Sequence, residues 1–158
     1  MNEALQLQTG QRVLEIGAGS GWHAATIAEV IAPKEAPRSE WGHVYTIEIN
    51  QSLAETARKN IMNTGYGDRI TIIVGDGSKG YPEKAPFDRI VVAAAAPETP
   101  KPLIDQLKSG GIILIPVGNA QLFQMLIRIT KDTLGKITEE RLCGVAFVPL
   151  TGEYGFRF

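Results

Sequence analysis

The chain has 158 residues, 44% hydrophobic and 21% charged, with a formal charge of −1; that is one globular domain, residues 1–158, able to bury a core without disulfides or metal. It lacks the basic surplus that attraction to nucleic acid needs, and its one cysteine, Cys143, excludes an internal disulfide and fits a reducing, cytoplasmic setting. No apolar run reaches membrane-spanning length, residues 1–11 are too polar for a signal peptide, and His23, His43 and Cys143 show no metal-ligand spacing.

Residues 2–7 have room for a helical turn or two before Thr9-Gly10 turns the chain into a first strand, residues 13–16. That strand runs into Gly17-Ala18-Gly19-Ser20-Gly21-Trp22 and then into a helix over residues 22–31, which Pro33 ends. A strand, a glycine loop and a helix start are the parts from which an α/β sheet builds a nucleotide-like site. The glycines fall as G-x-G-x-G, and Trp22 stands where the dinucleotide fingerprint wants its third glycine. A nucleoside ligand with little or no phosphate, such as S-adenosylmethionine, fits that loop better than NAD. A plain strand–helix turn shares the pattern, so the loop alone is a weak signal.

Residues 33–41 form a polar, proline-containing insertion, for which Trp41 is a candidate anchor. A second strand, residues 43–47, ends in Glu48, where such folds hold ribose hydroxyls. Glu48 lies 31 residues beyond Gly17, and 22 once the nine-residue insertion is left out, close to the usual spacing of about 20. A solvated strand-end glutamate is the plainer reading. Asn50 caps a helix over residues 51–63, with Leu53, Ala54, Ala57 and Ile61 on its apolar face. A third strand, residues 70–74, is followed by Gly75-Asp76-Gly77, whose carboxylate can accept a hydrogen bond from an adenine amino group.

The fourth strand, residues 89–95, is apolar on both faces, as a central parallel strand should be. Asp88 precedes it, at the end away from the ligand, and reads as structural. The small run of residues 93–96, Ala94 and Ala95 within it, lets a ligand or peptide lie against the strand end. Thr99 is expected to cap a helix that begins at Pro100 and runs to about Leu107, with Gly110-Gly111 ending it and residues 112–117 forming a fifth strand. Residues 122–130 alternate as an antiparallel strand near an edge, and residues 137–147 contain the last one. The fold expected is a doubly wound, Rossmann-like α/β sandwich of about seven strands, mostly parallel, with antiparallel C-terminal strands.

These motifs together resemble the class I S-adenosylmethionine-dependent methyltransferases, and among them the protein-L-isoaspartate O-methyltransferases. Residues 13–22 (VLEIGAGSGW), Gly75-Asp76-Gly77, residues 93–98 (AAAAPE), residues 110–118 (GGIILIPVG) and residues 147–150 (FVPL) carry the likeness. The resemblance implies methyl transfer from S-adenosylmethionine to the carboxylate of isoaspartyl residues in damaged proteins. It places Gly17, Ala18, Gly19, Ser20, Gly21, Trp22, Glu48, Asp76 and Gly77 around the cofactor, and Ala94, Ala95, Val148 and Pro149 on the peptide side. Two other readings stay open: a methyltransferase acting on tRNA or a small molecule, and a cofactor-binding protein without activity. The family's N-terminal motif, which resembles Ile-Ser-Ala-Pro-His-Met and carries its active-site hydroxyl, has no counterpart in residues 1–158. No catalytic residue is therefore carried over, and these 158 residues are expected to bind cofactor but methylate isoaspartyl peptides poorly. A homodimer covering the open groove is a corollary. His23, in the first turn of the loop's helix, is expected to be half exposed.

Overall fold

The computed structural model describes residues 1–120 and 122–157. Its strands make one sheet in the order β3-β2-β1-β4-β5-β6-β7. They are β1 (Arg12–Ile16), β2 (His43–Glu48), β3 (Ile70–Val74), β4 (Phe87–Val92), β5 (Leu107–Gly118), β6 (Gln124–Lys131) and β7 (Ile137–Val145). The first five pair in parallel, while β5–β6 and β6–β7 are antiparallel. The parallel strands need crossovers, and the chain supplies helices α2 (Trp22–Ile31) between β1 and β2, α3 (Gln51–Asn63) between β2 and β3, and α4 (Lys101–Asp105) before β5.

Alternation along the strands builds two cores. Val13, Val44, Ile70, Val91, Leu114 and Leu126 face α2 and α3. Leu14, Ile16, Ile90, Val92, Ile113, Ile127 and Ile129 face the other way, toward Leu103 of α4. Both faces being apolar is what a parallel sheet covered on both sides requires. Glu15, on the α2 face of β1, is fully buried. It is paired there, its two oxygens meeting Nδ1 of His23 at 2.7 Å and the Thr46 hydroxyl at 2.6 Å. His23 is thus partly exposed, as expected, and its second nitrogen meets Oδ1 of Asn2 at 2.8 Å.

Three sequence expectations shift. The fourth strand stops at Val92, because residues beyond it leave the ladder for isolated bridges, Ala95 with Pro149 and Ala96 with Val117. Thr99 does not cap α4; Pro100 stands at that position with no side-chain cap, and the helix is only five residues long. Gly110-Gly111 lies inside β5 rather than ending the helix. Leu107 pairs with Phe87 and Ile112 with Arg89, so residues 108–111 bulge out, with Gly110 at φ 79°. The insertion behaves as a pinned loop: the Trp41 indole N–H donates to the carbonyls of Pro33 and Ala36.

Helix α1 (Asn2–Leu5) is one turn long, too short to be stable unaided. Leu5 anchors it in the core, and the buried Arg89 of β4 donates to the carbonyls of Leu5 and Gln6 at its C-terminal end. Arg89→Met keeps the bulk and removes both donors. It is expected to cost about 1–3 kcal/mol of stability, read from urea unfolding; an unchanged midpoint refutes this role for Arg89.

Candidate active site

Parallel pairing brings the C-terminal ends of β1, β2 and β4 to one edge. The pairing continues just past those ends: the Gly17 N–H donates to Ile47 O, and the Ala93 N–H donates to Ile16 O, each at 2.8 Å. Between β1 and β4 the strand order reverses, and such a switch point opens a crevice above the strand ends. A cavity of about 320 Å³ occupies it, lined by Gly17, Gly19, Glu48, Gly77, Ala94, Val148 and Pro149 among others. That volume is within the range of small-molecule sites.

Glycine is needed at three of these positions for different reasons. Gly17 and Gly19 have φ of 93° and 52°, which L side chains rarely adopt. A Cβ at Gly77 would stand 2.4 Å from Cγ2 of Ile16. Glu48 is almost fully buried, and each of its oxygens accepts a backbone hydrogen bond, from Gly19 N–H at 3.1 Å and Asn50 N–H at 3.0 Å. The carboxylate therefore fixes the glycine loop at the cavity floor and still has lone pairs to offer a ligand hydroxyl. Among the lining residues described, Glu48 is the one with an ionisable side chain. The described residues contain no cluster of three or more His, Cys, Asp or Glu suited to a metal.

The peptide-side expectations converge on the same cavity. The Ala95 N–H donates to Val148 O at 2.8 Å, and the Leu150 N–H to Ala95 O at 2.7 Å, which lays residues 148–150 beside the end of β4. Ala95 is fully buried beneath this bridge, leaving Ala94 and the exposed Val148 to face the opening.

Other expected residues go elsewhere. Ser20, Gly21 and Trp22 line a separate cavity of about 440 Å³ between α2 and α3, and Trp22 is exposed there. Gly21 serves packing, since a Cβ would come within 3.1 Å of Ile61. Ala18, within the loop, is buried. Although this second cavity is the larger, the strand-end cavity is the one that brings Gly17 and Gly19 together with Glu48. Asp76 does not line either; its oxygens accept from the N–H and hydroxyl of Ser78 and from the Glu153 N–H at 2.9 Å. Leu53, read as a core position of α3, is instead half exposed and lines the cavity with Ile49. Their signal in the sequence was an apolar pair just after a strand-end acid.

The sequence model of the protein-L-isoaspartate(D-aspartate) O-methyltransferases matches residues 1–155 of this chain. The chain belongs to this family. A protein-L-isoaspartate O-methyltransferase from Hyperthermus butylicus is 58% identical over 99% of this chain and 65% of its own length. One from Korarchaeum cryptofilum is 47% identical over 99% of this chain and 71% of its own. The chain thus spans about two thirds of these curated relatives. A solved structure of a protein-L-isoaspartate O-methyltransferase superposes with a TM-score of 0.83 at 30% identity, over 97% of this chain and 46% of that one. A Plasmodium falciparum structure titled as a family member in complex with S-adenosyl-L-homocysteine gives 0.79 at 28% identity, over 94% and 68%. The seven-stranded Rossmann-like fold is therefore the methyltransferase fold of the family.

Asp76 makes a prediction about acid. Burial raises its pKa, but the Ser78 and Glu153 hydrogen bonds and the Lys79 charge outweigh it and hold the carboxyl below its ordinary value of 3.8. A depressed folded pKa means that the stabilisation is complete above the unfolded value and fades as pH falls through the folded one. Asp76→Ala is expected to cost about 1.5–3 kcal/mol near neutral pH. The unfolding midpoints of variant and parent should then converge below about pH 4; a constant gap would refute the assignment.

Proposed function

We propose that this chain binds S-adenosylmethionine in the strand-end cavity and methylates the α-carboxylate of isoaspartyl residues in peptides and damaged proteins. The observation that carries this reading is one cavity joining the glycine loop, Glu48 and the Val148-Pro149 segment in a chain of this family. The residues present fit the cofactor. Gly19, which has open space where a Cβ would stand, admits close approach of a ligand's amino-acid end. Glu48 accepts from ribose hydroxyls, and Ile49 and Leu53 offer an apolar wall for a purine. Asp76 acts on the adenine side at one remove, by fastening residues 152–154 next to the lining residue Thr151.

S-adenosylmethionine supplies a methyl group on a positively charged sulfur, already a strong donor. The accepting carboxylate, with a pKa near 4, is ionised at pH 7, so the site needs no general base. This is consistent with a cavity in which, among the described lining residues, the one ionisable side chain is bonded to the glycine loop. What the chain contributes is alignment and dryness: Ala94 leaves room at the strand end, and Val148 and Pro149 form an apolar wall that excludes water. The reading carries a cytoplasmic location, supported by the lone cysteine. Among the described residues no helix is long and apolar enough to cross a membrane.

Two measurements test the proposal. Calorimetry should detect S-adenosylhomocysteine binding, and Glu48→Ala should weaken it by about 1–3 kcal/mol, roughly 5- to 150-fold. No heat at millimolar ligand defeats the cofactor reading. Labelled methyl should pass, at a low rate, to an isoaspartyl peptide and not to its aspartyl isomer; transfer to tRNA or a small molecule instead would replace the substrate.

A further inference from the structure

Gln124 is a polar side chain that neither the cofactor nor the peptide expectation uses, and it is buried, 4% exposed. It sits on the last rung of the antiparallel part of the sheet, opposite Gly118 of β5 on one side and Val145 of β7 on the other. Past this rung both β6 and β7 end, and residues 146–150 lie beyond the β6–β7 ladder. The amide of Gln124 extends that pairing by one step. Its Nε2 donates to Phe147 O at 3.0 Å, and its Oε1 accepts from Phe147 N–H at 2.6 Å. A neighbouring strand residue would offer the same donor and acceptor pair. One residue further on, the chain is held from its other side by Ala95, through Val148 O and Leu150 N–H.

We infer that Gln124 is a positioning residue that sets the peptide-side wall of the active site. Resting on the function proposed above, this inference assigns Gln124 no contact with substrate. The Ala95 backbone and the Phe156 N–H, which donates to Leu150 O at 2.8 Å, hold the segment at its far end, and the side chain of Gln124 holds it on the β6 side. Remove Gln124's amide, and Phe147 loses its tie to β6, so Val148 and Pro149 gain freedom and the groove beside Ala94 loses its fixed width. The cofactor side is untouched, because Gly17, Gly19 and Glu48 are held by β2 and by each other.

The test uses two variants: Gln124→Ala, which removes the bonds and the volume, and Gln124→Met, which removes the bonds and keeps the volume. Amide exchange in the free chain should quicken at least tenfold at Phe147 and Leu150 in both, relative to amides of β1 and β4. With S-adenosylhomocysteine bound, affinity for an isoaspartyl hexapeptide should fall at least fivefold, while the S-adenosylhomocysteine Kd stays within twofold. Unchanged exchange in Gln124→Met overturns the inference, and so does quickened exchange with unchanged peptide affinity. A parent chain that binds S-adenosylhomocysteine but no isoaspartyl peptide defeats the proposed substrate instead, and the exchange rates still decide whether Gln124 holds the segment.

Discussion

The cavity's floor depends on a single carboxylate that the backbone ties down. Glu48 ends β2, yet its side chain reaches across to the loop that follows β1 and accepts from the Gly19 N–H, while its other oxygen accepts from Asn50 at the start of α3. One residue thus joins a loop, a strand end and a helix start. A buried carboxylate is tolerable only when hydrogen bonds replace its water, and these two come from backbone that is itself fixed. The loop cannot move without stranding the charge, and the charge cannot turn without releasing the loop.

The parallel half of the sheet makes that arrangement reachable. Gly17, Glu48, Gly77 and Ala94 are scattered over almost 80 residues, but each follows the C-terminal end of a strand, and four parallel strands end on one side. The antiparallel half does a different job. Its hairpins bring residues 147–150 back over the end of β4, where the bridge between Ala95 and Pro149 closes the cavity. The glycine-loop side and the Val148-Pro149 side of the cavity are supplied by two regions of the sheet with different topologies, and they meet at the alanines after β4.

Fold and site were unequally legible in the sequence. The helices after the glycine loop and after Asn50 announce themselves through periodicity, a cap and a proline, and α2 and α3 have the expected bounds. Spacing brought Gly17, Gly19 and Glu48 to one cavity because backbone and strand ends fix them. It could not locate Trp22, since sequence adjacency places a residue after the loop without saying which side of the helix it takes; Trp22 lines the groove between α2 and α3. Asp76 showed its position but not its partners, because Glu153 is 77 residues away. Gln124 was invisible for the same reason: in sequence it is one polar position of an alternating strand, and its partner at Phe147 appears only once the hairpin closes.

The sheet does not close on itself. Strand β7 is its outer edge, nine residues long and largely exposed. A bare edge of that length is a template for adding another chain's strand, the first step of aggregation. Here it carries Glu139, Glu140 and Arg141 in succession, with Lys136 just before it, and Glu140 pairs with Arg128 of β6. Adding a second copy's strand along this edge would take these charged side chains out of water, which disfavours the addition. The strand that leads the chain back to the cavity thus also carries charges that discourage the sheet from growing beyond it.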